Sequence, residues 1–196
     1  MTDLITLEEY KIAKGIQGMK EDSRLEILIK SVSQLVKTYC SNTFVDHYSG
    51  NPKVDFFNIK YGEDFVQLTE TPIVGDPVVS ERDSLSSSYT TLQRDVDYYV
   101  DYETDSIYRT MSTGQRKSWS EGPGSVQVSY DAGYESIPED LKLAVIDLTT
   151  YYHKDEHKAR QTIAGASIQN NASSSQRNNV AFPDHIKRVL DLYKNF

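Results

Sequence analysis

The chain has 196 residues, of which 38% are hydrophobic, and a formal net charge of -8 at pH 7. This length allows one or two modest domains with a real core. The mean hydropathy is -0.56, and no apolar run approaches the roughly 20 residues of a membrane helix, which excludes a membrane-spanning protein. The acidic charge argues against a protein that wraps nucleic acid by neutralising phosphates. Cys40 is the only cysteine, and the first residues lack a basic and then apolar signal region, so we expect synthesis in a reducing cytoplasm.

The sequence begins with two predicted helices. Thr6 and Glu9 have the spacing of a capping box for a short helix that ends near Gly15. Ser23 and Glu26 have the same spacing before a longer helix. Apolar residues at the i, i+3, i+4 and i+7 positions of this second helix predict one continuous buried stripe. The stripe consists of Leu25, Leu28, Ile29, Val32, Leu35, Val36 and Tyr39.

After about Phe44 the apolar period changes from 3.6 residues to two, which is typical of strands. The predicted strands are short segments rich in β-branched and aromatic residues, at 54–61, 64–70, 72–80, 88–94, 96–103 and 125–130. Residues 111–125 are predicted to be a loop or hairpin tip. Acids alternate with apolar residues around the fifth strand and predict an acidic face, either solvated or lining an acidic channel. These acids are Asp95, Asp97, Asp101, Glu103 and Asp105.

A third helix is predicted around Pro138, with Ser136 and Glu139 placed as another capping box. Leu143 and Ile146 fall on the side opposite to the main apolar stripe, so this helix has two apolar faces. Such a helix is sandwiched, either inside its own subunit or between subunits. The main stripe consists of Leu141, Ala144, Val145, Leu148, Tyr151 and Tyr152.

The end of the sequence is a polar segment followed by a short helix. Residues 165–179 have low complexity and no period, and they are predicted to form a mobile loop. The closing helix begins at Pro183 and has a basic and an apolar side. Because so short a helix is marginal alone in water, we expect it to dock elsewhere. The docking residues would be Ile186, Lys187, Arg188, Val189, Leu190, Tyr193 and Lys194.

His153 and His157 lie four residues apart on the third helix and could hold a metal. A zinc protease helix carries Glu directly after the first histidine, whereas Lys154 stands there. A metal-dependent hydrolase is therefore kept as an alternative, and solvated or interface histidines are the preferred interpretation. The glycine and serine patterns of nucleotide-binding and hydrolase motifs do not occur, so we predict neither a cofactor nor a catalytic residue.

Two other features could carry chemistry. Arg116, Lys117 and Trp119 could contact phosphates and stack a base, which makes a DNA-binding module a second alternative. The overall charge favours an exposed loop anchored by Trp119 instead. Cys40 follows Tyr39 at the end of the second helix and is predicted to be a buried structural thiol.

Several segments, taken in order, match a known group of proteins. They are ITLEEYKIAKGI with LEILIKSVSQLVKTYCSNTF, then VDYYVDYETDSIYR, then VQVSYDAGYESIPEDLKLAVIDLTTYYH, and finally FPDHIKRVLDLYKNF. Together they resemble the head-tail connector (adaptor) proteins of tailed bacteriophages over nearly the whole chain. The resemblance implies that 1–45 and 133–196 form an α-helical bundle. The chain departs from small members, which have a loop there, by carrying a β-rich insertion, 46–132, between the second and third long helices, and the predicted fold class is therefore α+β.

The resemblance also implies a structural role without enzymatic activity. Such a protein forms a twelve-fold ring beneath the portal, extends the DNA channel and joins the capsid to the next neck, stopper or tail protein. DNA would pass without sequence-specific binding, and no membrane is involved. The chain would be made in the bacterial host cytoplasm and act in the virion neck. The closing helix would then dock on the portal, the five acids would face the channel, and a neighbouring subunit would contact Leu143, Ile146, His153 and His157.

Overall fold

The computed structural model describes residues 2–155, 160–163, 166–169 and 182–195. It has an α+β fold, as predicted, with antiparallel sheets. Two compact units are present, a helical unit of Thr2–Cys40 and Ile137–Lys194, and a β unit of Ser41–Ser136. The elements are α1 (Leu7–Lys14), α2 (Asp22–Cys40), β1 (Lys53–Ile59), β2 (Phe65–Gln67), β3 (Ile73–Glu81), β4 (Thr90–Thr91), β5 (Tyr98–Asp101), β6 (Ser106–Arg109), β7 (Gly122–Ala132), α3 (Glu139–His153), β8 (Arg160–Ile163), β9 (Ala166–Gln169) and α4 (Asp184–Leu192).

The helical unit is built on α2 and α3, which pack against each other and against α4, while α1 packs on α2. The predicted stripes of α2 and α3 supply its core. Each fully buried side chain of this size stabilises the fold by roughly 1.5–3 kcal/mol before entropy is subtracted. The residues that are fully or almost fully buried include Leu25, Ile29, Val32, Val36, Leu141, Val145 and Leu148.

Only one of the three predicted capping boxes forms. Thr6 Oγ1 accepts from the Glu9 backbone N–H at 3.1 Å, and Glu9 Oε2 accepts from the Thr6 N–H at 2.7 Å. The second prediction is wrong because α2 already begins at Asp22, which places Ser23 inside the helix. The third is wrong because Pro138 is the N-cap of α3 and makes no side-chain cap hydrogen bond. Its fixed φ already suits the position before a helix.

Two antiparallel sheets form the β unit, with strand orders β1-β7-β3-β4 and β2-β6-β5. Every predicted strand segment overlaps an observed strand, whereas β6 was not predicted as a separate strand, and β7 begins at Gly122, inside the predicted loop. Buried side chains from both sheets form one core. Its members are Ile59, Val66, Leu68, Ile73, Val79, Tyr98, Val100, Ile107, Trp119, Val126, Val128, Tyr130 and Ala132.

Gly133 makes a close backbone approach possible at the end of the β unit. Its φ is +103°, and a Cβ at this position would lie 2.1 Å from the Phe44 carbonyl oxygen. The neighbouring Tyr134 N–H donates to that same oxygen at 2.6 Å. Only glycine fits here without moving the backbone.

The five acids around β5 do not form the single acidic face that alternation predicted. Asp95 and Asp105 have φ values of +60° and +50° and lie outside the strand. Three of the carboxylates accept backbone N–H groups, Asp97 from Gln93 at 3.0 Å, Asp101 from Glu103 at 3.0 Å and Asp105 from Ile73 at 2.9 Å. The expectation of one row is wrong because Asp97 and Asp101 bond to backbone groups of their own turns, whereas Asp105 bonds to a distant segment.

Part of the segment predicted as a mobile loop is a strand. β9 pairs with β8 in an antiparallel hairpin, with Ile163 opposite Ala166. Residues 165 and 170–179 of the predicted loop lie outside the described residues. In the part of the chain that the structure describes, no helix is long and apolar enough to cross a membrane.

Candidate interaction surfaces

The second face of α3 is partly covered by α1 and by the segment that follows it. Ile146 lies on this face and is half-buried. Leu143 is 60% exposed, so an apolar side chain remains open beside the covered part. The contacts to α3 are Glu9–Lys142 at 3.3 Å, Lys14–Asp147 at 3.0 Å, Tyr10–Thr150 at 3.3 Å and Glu21–His153 at 3.0 Å.

The two candidate metal-binding histidines are His153, the last residue of α3, and His157, four residues further along the chain. His153 Nε2 lies 3.0 Å from Glu21 Oε2, so this histidine has a partner inside its own helical unit. His157 lies outside the described residues. Within the described ranges, no group of three or more His, Cys, Asp or Glu residues is placed to hold a metal ion. A subunit-interface role for the histidines stays a prediction.

The closing helix α4 is packed into its own helical unit. Ile186 and Leu190 are 2% and 0% exposed. Tyr193 Oη donates to Asp140 Oδ1 on α3 at 2.6 Å. This corrects the expectation that the apolar side of the helix awaits a partner, because α2 and α3 already cover it. Portal docking stays a prediction and would use the side that remains open, which includes Arg188.

The basic segment before Trp119 offers no stacking platform for a base. Trp119 is 2% exposed and belongs to the core of the β unit. Arg116 lies 3.4 Å from the Asp64 carboxylate and is partly neutralised by it. The preferred interpretation, a loop anchored by Trp119, is confirmed. The DNA-binding alternative required Trp119 to stack on a base, and the buried ring is not accessible for this.

Cys40 is a buried free thiol, as predicted. Its Sγ donates to the Leu190 carbonyl oxygen at 3.5 Å. Burial raises the pKa of the thiol from 9.0 to about 12, and the Asp191 carboxylate adds to this rise. Since the thiolate is the reactive form, Cys40 is unsuited to nucleophilic chemistry.

We therefore expect Cys40 to resist Ellman's reagent in the folded protein at a pH of about 8 and to react fully in denaturant. Because the pKa of the thiol is higher in the folded chain than in the unfolded chain, the folded chain binds the thiol proton more tightly. The resulting contribution to stability is complete below the ordinary pKa of 9.0 and is lost as pH rises toward about 12. Thr38→Cys adds an exposed thiol to the same helix and should react at once. Rapid stoichiometric labelling of the unmodified folded chain would contradict this account of Cys40.

A groove lies on the outer face of the sheet β2-β6-β5. Strand register places Phe65, Tyr108 and Tyr99 side by side in one row. The rings of Phe65 and Tyr108 are 5.7 Å apart between centroids, and the Arg116 guanidinium lies 4.6 Å from the Tyr108 centroid. We call this feature the aromatic groove. Its cavity has a volume of about 400 Å³ and is lined by Asp95, Tyr99, Asp101, Tyr108, Thr110, Gly114 and Arg116.

Sequence reasoning did not find the aromatic groove. Its rings come from three strands, and only the pairing register brings them into one row. The abundance of tyrosine, 14 in all, was the available signal, since tyrosine is frequent at interfaces. It could indicate that an interface exists but not where it lies.

Comparison with known families gives one match over almost the whole chain. The sequence profile of a family described as "Head completion protein" matches residues 3–196. The chain is also 23% identical over 191 residues to the head completion protein of Escherichia phage T5, an alignment that covers 97% of this chain and 98% of the relative.

Solved structures with a similar fold come from particle necks. A chain from the neck of an empty GTA particle, computed with C6 symmetry, superposes with a TM-score of 0.61 at 14% identity and covers 98% of this chain and 90% of its own length. A chain from the neck of a native GTA particle, computed with C12 symmetry, gives a TM-score of 0.55 at 12% identity and covers 100% and 94%. At these identities the likeness shows a shared fold.

Proposed function

Because the chain belongs to the head completion protein family, a family of head-tail connectors, we propose that it assembles as a ring in the neck of a tailed phage. The family match over residues 3–196 is the observation that carries this conclusion. It confirms the head-tail connector role predicted from the sequence. The similar neck chains were solved with C6 and C12 symmetry, which supports a ring in the neck. We propose that this ring has twelve copies and lies beneath the portal.

We propose that the ring closes through the open part of α3. A closed ring needs two different surfaces on each subunit, because each copy contacts its neighbours head to tail. Leu143 is 60% exposed on α3, and burying such a side chain stabilises an interface. Ile146, His153 and His157 would lie at the margin of this contact, with His153 already held by Glu21.

Docking on the portal would use the open side of α4. Arg188 is exposed there, Lys187 is partly exposed, and Lys194 is exposed just after the end of the helix. The buried residues Ile186 and Leu190 hold the helix on its own unit, so they would position the basic side chains and not touch the portal. The 41–136 unit, inserted in the chain between α2 and α3, would contact the next neck, stopper or tail protein.

The acidic surface suits a channel that DNA crosses. The net charge is -8, and DNA carries about one negative charge per 1.7 Å of its axis. An acidic wall would therefore repel the backbone and let DNA slide, whereas a basic wall would hold it. Among the five acids, Asp95 and Glu103 are the most exposed. We propose no catalytic role for any residue of this chain.

The ring interface is tested by Leu143→Asp. A carboxylate buried at an interface without a partner costs several kcal/mol, so we expect the variant to fold normally and to fail to assemble on portal rings imaged by electron microscopy. Ile27→Asp is the matched control, because Ile27 is 69% exposed on α2, outside the proposed interface. Assembly of Leu143→Asp with the same occupancy as the unmodified chain would place the interface elsewhere.

A further inference from the structure

Tyr99 presents an open aromatic face in the aromatic groove. It lies on β5 directly opposite Tyr108 of β6, and its side chain is 55% exposed. The adjacent Tyr108 ring is covered by the Arg116 guanidinium at 4.6 Å. Among the residues that the structure describes, no ring or cation stacks on Tyr99. The groove thus shows a guanidinium on one tyrosine and leaves the neighbouring tyrosine free for another cation.

Asp101 supplies an unneutralised negative charge beside this ring. It follows Tyr99 by two residues, so both side chains point to the same face of the strand, about 7 Å apart along it. The Thr104 hydroxyl and the Glu103 backbone N–H donate to the Asp101 carboxylate at 2.7 and 3.0 Å and lower its pKa. Within the described residues, no lysine, arginine or histidine lies within ion-pair distance of Asp101. The carboxylate is therefore ionised, held in place and without a cation.

The other charges of the groove are already paired. Arg116 lies 3.4 Å from Asp64, and Arg94 pairs with Asp76 and lies 3.7 Å from Asp95. An open aromatic ring next to an ionised, unpaired carboxylate is complementary to a single cation that has a flat or aliphatic part. Arginine and lysine side chains have this combination. DNA does not fit, because the groove would place carboxylates against its phosphates.

We propose that the aromatic groove binds an arginine or lysine side chain carried by an extended segment of a different neck protein. The cation would lie over Tyr99 and pair with Asp101, while the exposed Phe65 covers the flanking apolar part of the segment. A different protein is the better occupant than a second copy, because each copy is acidic with a net charge of -8. The inference rests on the proposed function for the source of the segment, and it gives Asp101 a more specific role than a channel wall.

Titration of the full-length, isotope-labelled chain with the peptide acetyl-Gly-Gly-Arg-Gly-Gly-amide, followed by NMR, tests the site directly. We expect saturable shifts centred on Tyr99, Asp101 and Tyr108, and binding at least about fivefold weaker when citrulline replaces arginine, because the neutral group cannot pair with the carboxylate. Tyr99→Leu and Asp101→Asn should each weaken binding by about fivefold or more. Tyr61→Leu is the matched control, since Tyr61 is 89% exposed outside the groove, and it should bind as the unmodified chain does.

Asp101→Asn could disturb the turn that the Asp101 carboxylate stabilises. Tyr99→Leu does not change that carboxylate, so it tests the site independently. Equal binding of the citrulline peptide, or unchanged binding by Tyr99→Leu, would overturn the proposal. So would a concentration-dependent dimer of the free chain that Tyr99→Leu dissociates, because the groove would then belong to a second copy. Peptide binding by a chain that never assembles on portal rings would contradict the proposed function and leave the cation site standing.

Discussion

Leu190→Ala is expected to lower the free energy of unfolding of the helical unit by about 2–5 kcal/mol. Leu190 is 0% exposed, and its helix α4 packs on α2 and α3. Removing three carbons from this position deletes buried apolar surface and leaves a cavity that the neighbouring helices fill only in part. Urea unfolding followed by far-ultraviolet circular dichroism measures the change.

The same helix supplies the control for this experiment. Leu192 is 78% exposed, so Leu192→Ala should change stability by no more than about 0.5 kcal/mol. Equal and small effects of the two substitutions would show that α4 does not pack on its own unit. The closing helix would then be the free docking segment that its sequence alone suggests.

Arg109→Met is expected to cost about 3–5 kcal/mol, because it leaves a buried carboxylate without its counterion. Arg109 on β6 and Glu81 on β3 belong to different sheets of the β unit. Both the Nε and the Nη2 of Arg109 lie 3.1 Å from Glu81 Oε2. Their side chains are 7% and 10% exposed. After substitution, the Ser120 backbone N–H at 2.6 Å would be the main remaining donor to Glu81.

A surface ion pair of the same unit provides the comparison. Arg116 pairs with Asp64 at 3.4 Å but is 66% exposed, so Arg116→Met should cost between about 0 and 1 kcal/mol. Adding Glu81→Leu to Arg109→Met should recover part of the lost stability, because it removes the orphaned charge. Similar costs for Arg109→Met and Arg116→Met would show that the Arg109 pair is not buried between the sheets.

The parts of the fold that could be predicted depend on local patterns. The stripe of α2 repeats every three to four residues, and Val32 and Val36 are buried as it requires. The capping box of α1 is equally local, since the Thr6 and Glu9 side chains each accept from the other's backbone N–H, three residues apart. In the β unit, period-two alternation located the strands because one face of each sheet is buried.

The parts that could not be predicted depend on long-range pairing. Tyr99, Tyr108 and Phe65 meet only through strand register. From the sequence alone, the apolar side of α4 could pack against a partner protein or against its own unit. The burial of Leu190 shows that it packs against its own unit. The acids around β5 looked like a strand face, because alternation cannot show that Asp105 turns toward the Ile73 N–H.

The most direct test of the central claim is to count the copies of this chain that bind a portal ring, by native mass spectrometry of the two purified proteins mixed. A head-tail connector that forms a closed ring of the symmetry seen in similar neck chains should give a single complex of one portal ring with twelve copies. A spread of small copy numbers that rises steadily with concentration, or no complex at all, would contradict a ring-forming connector.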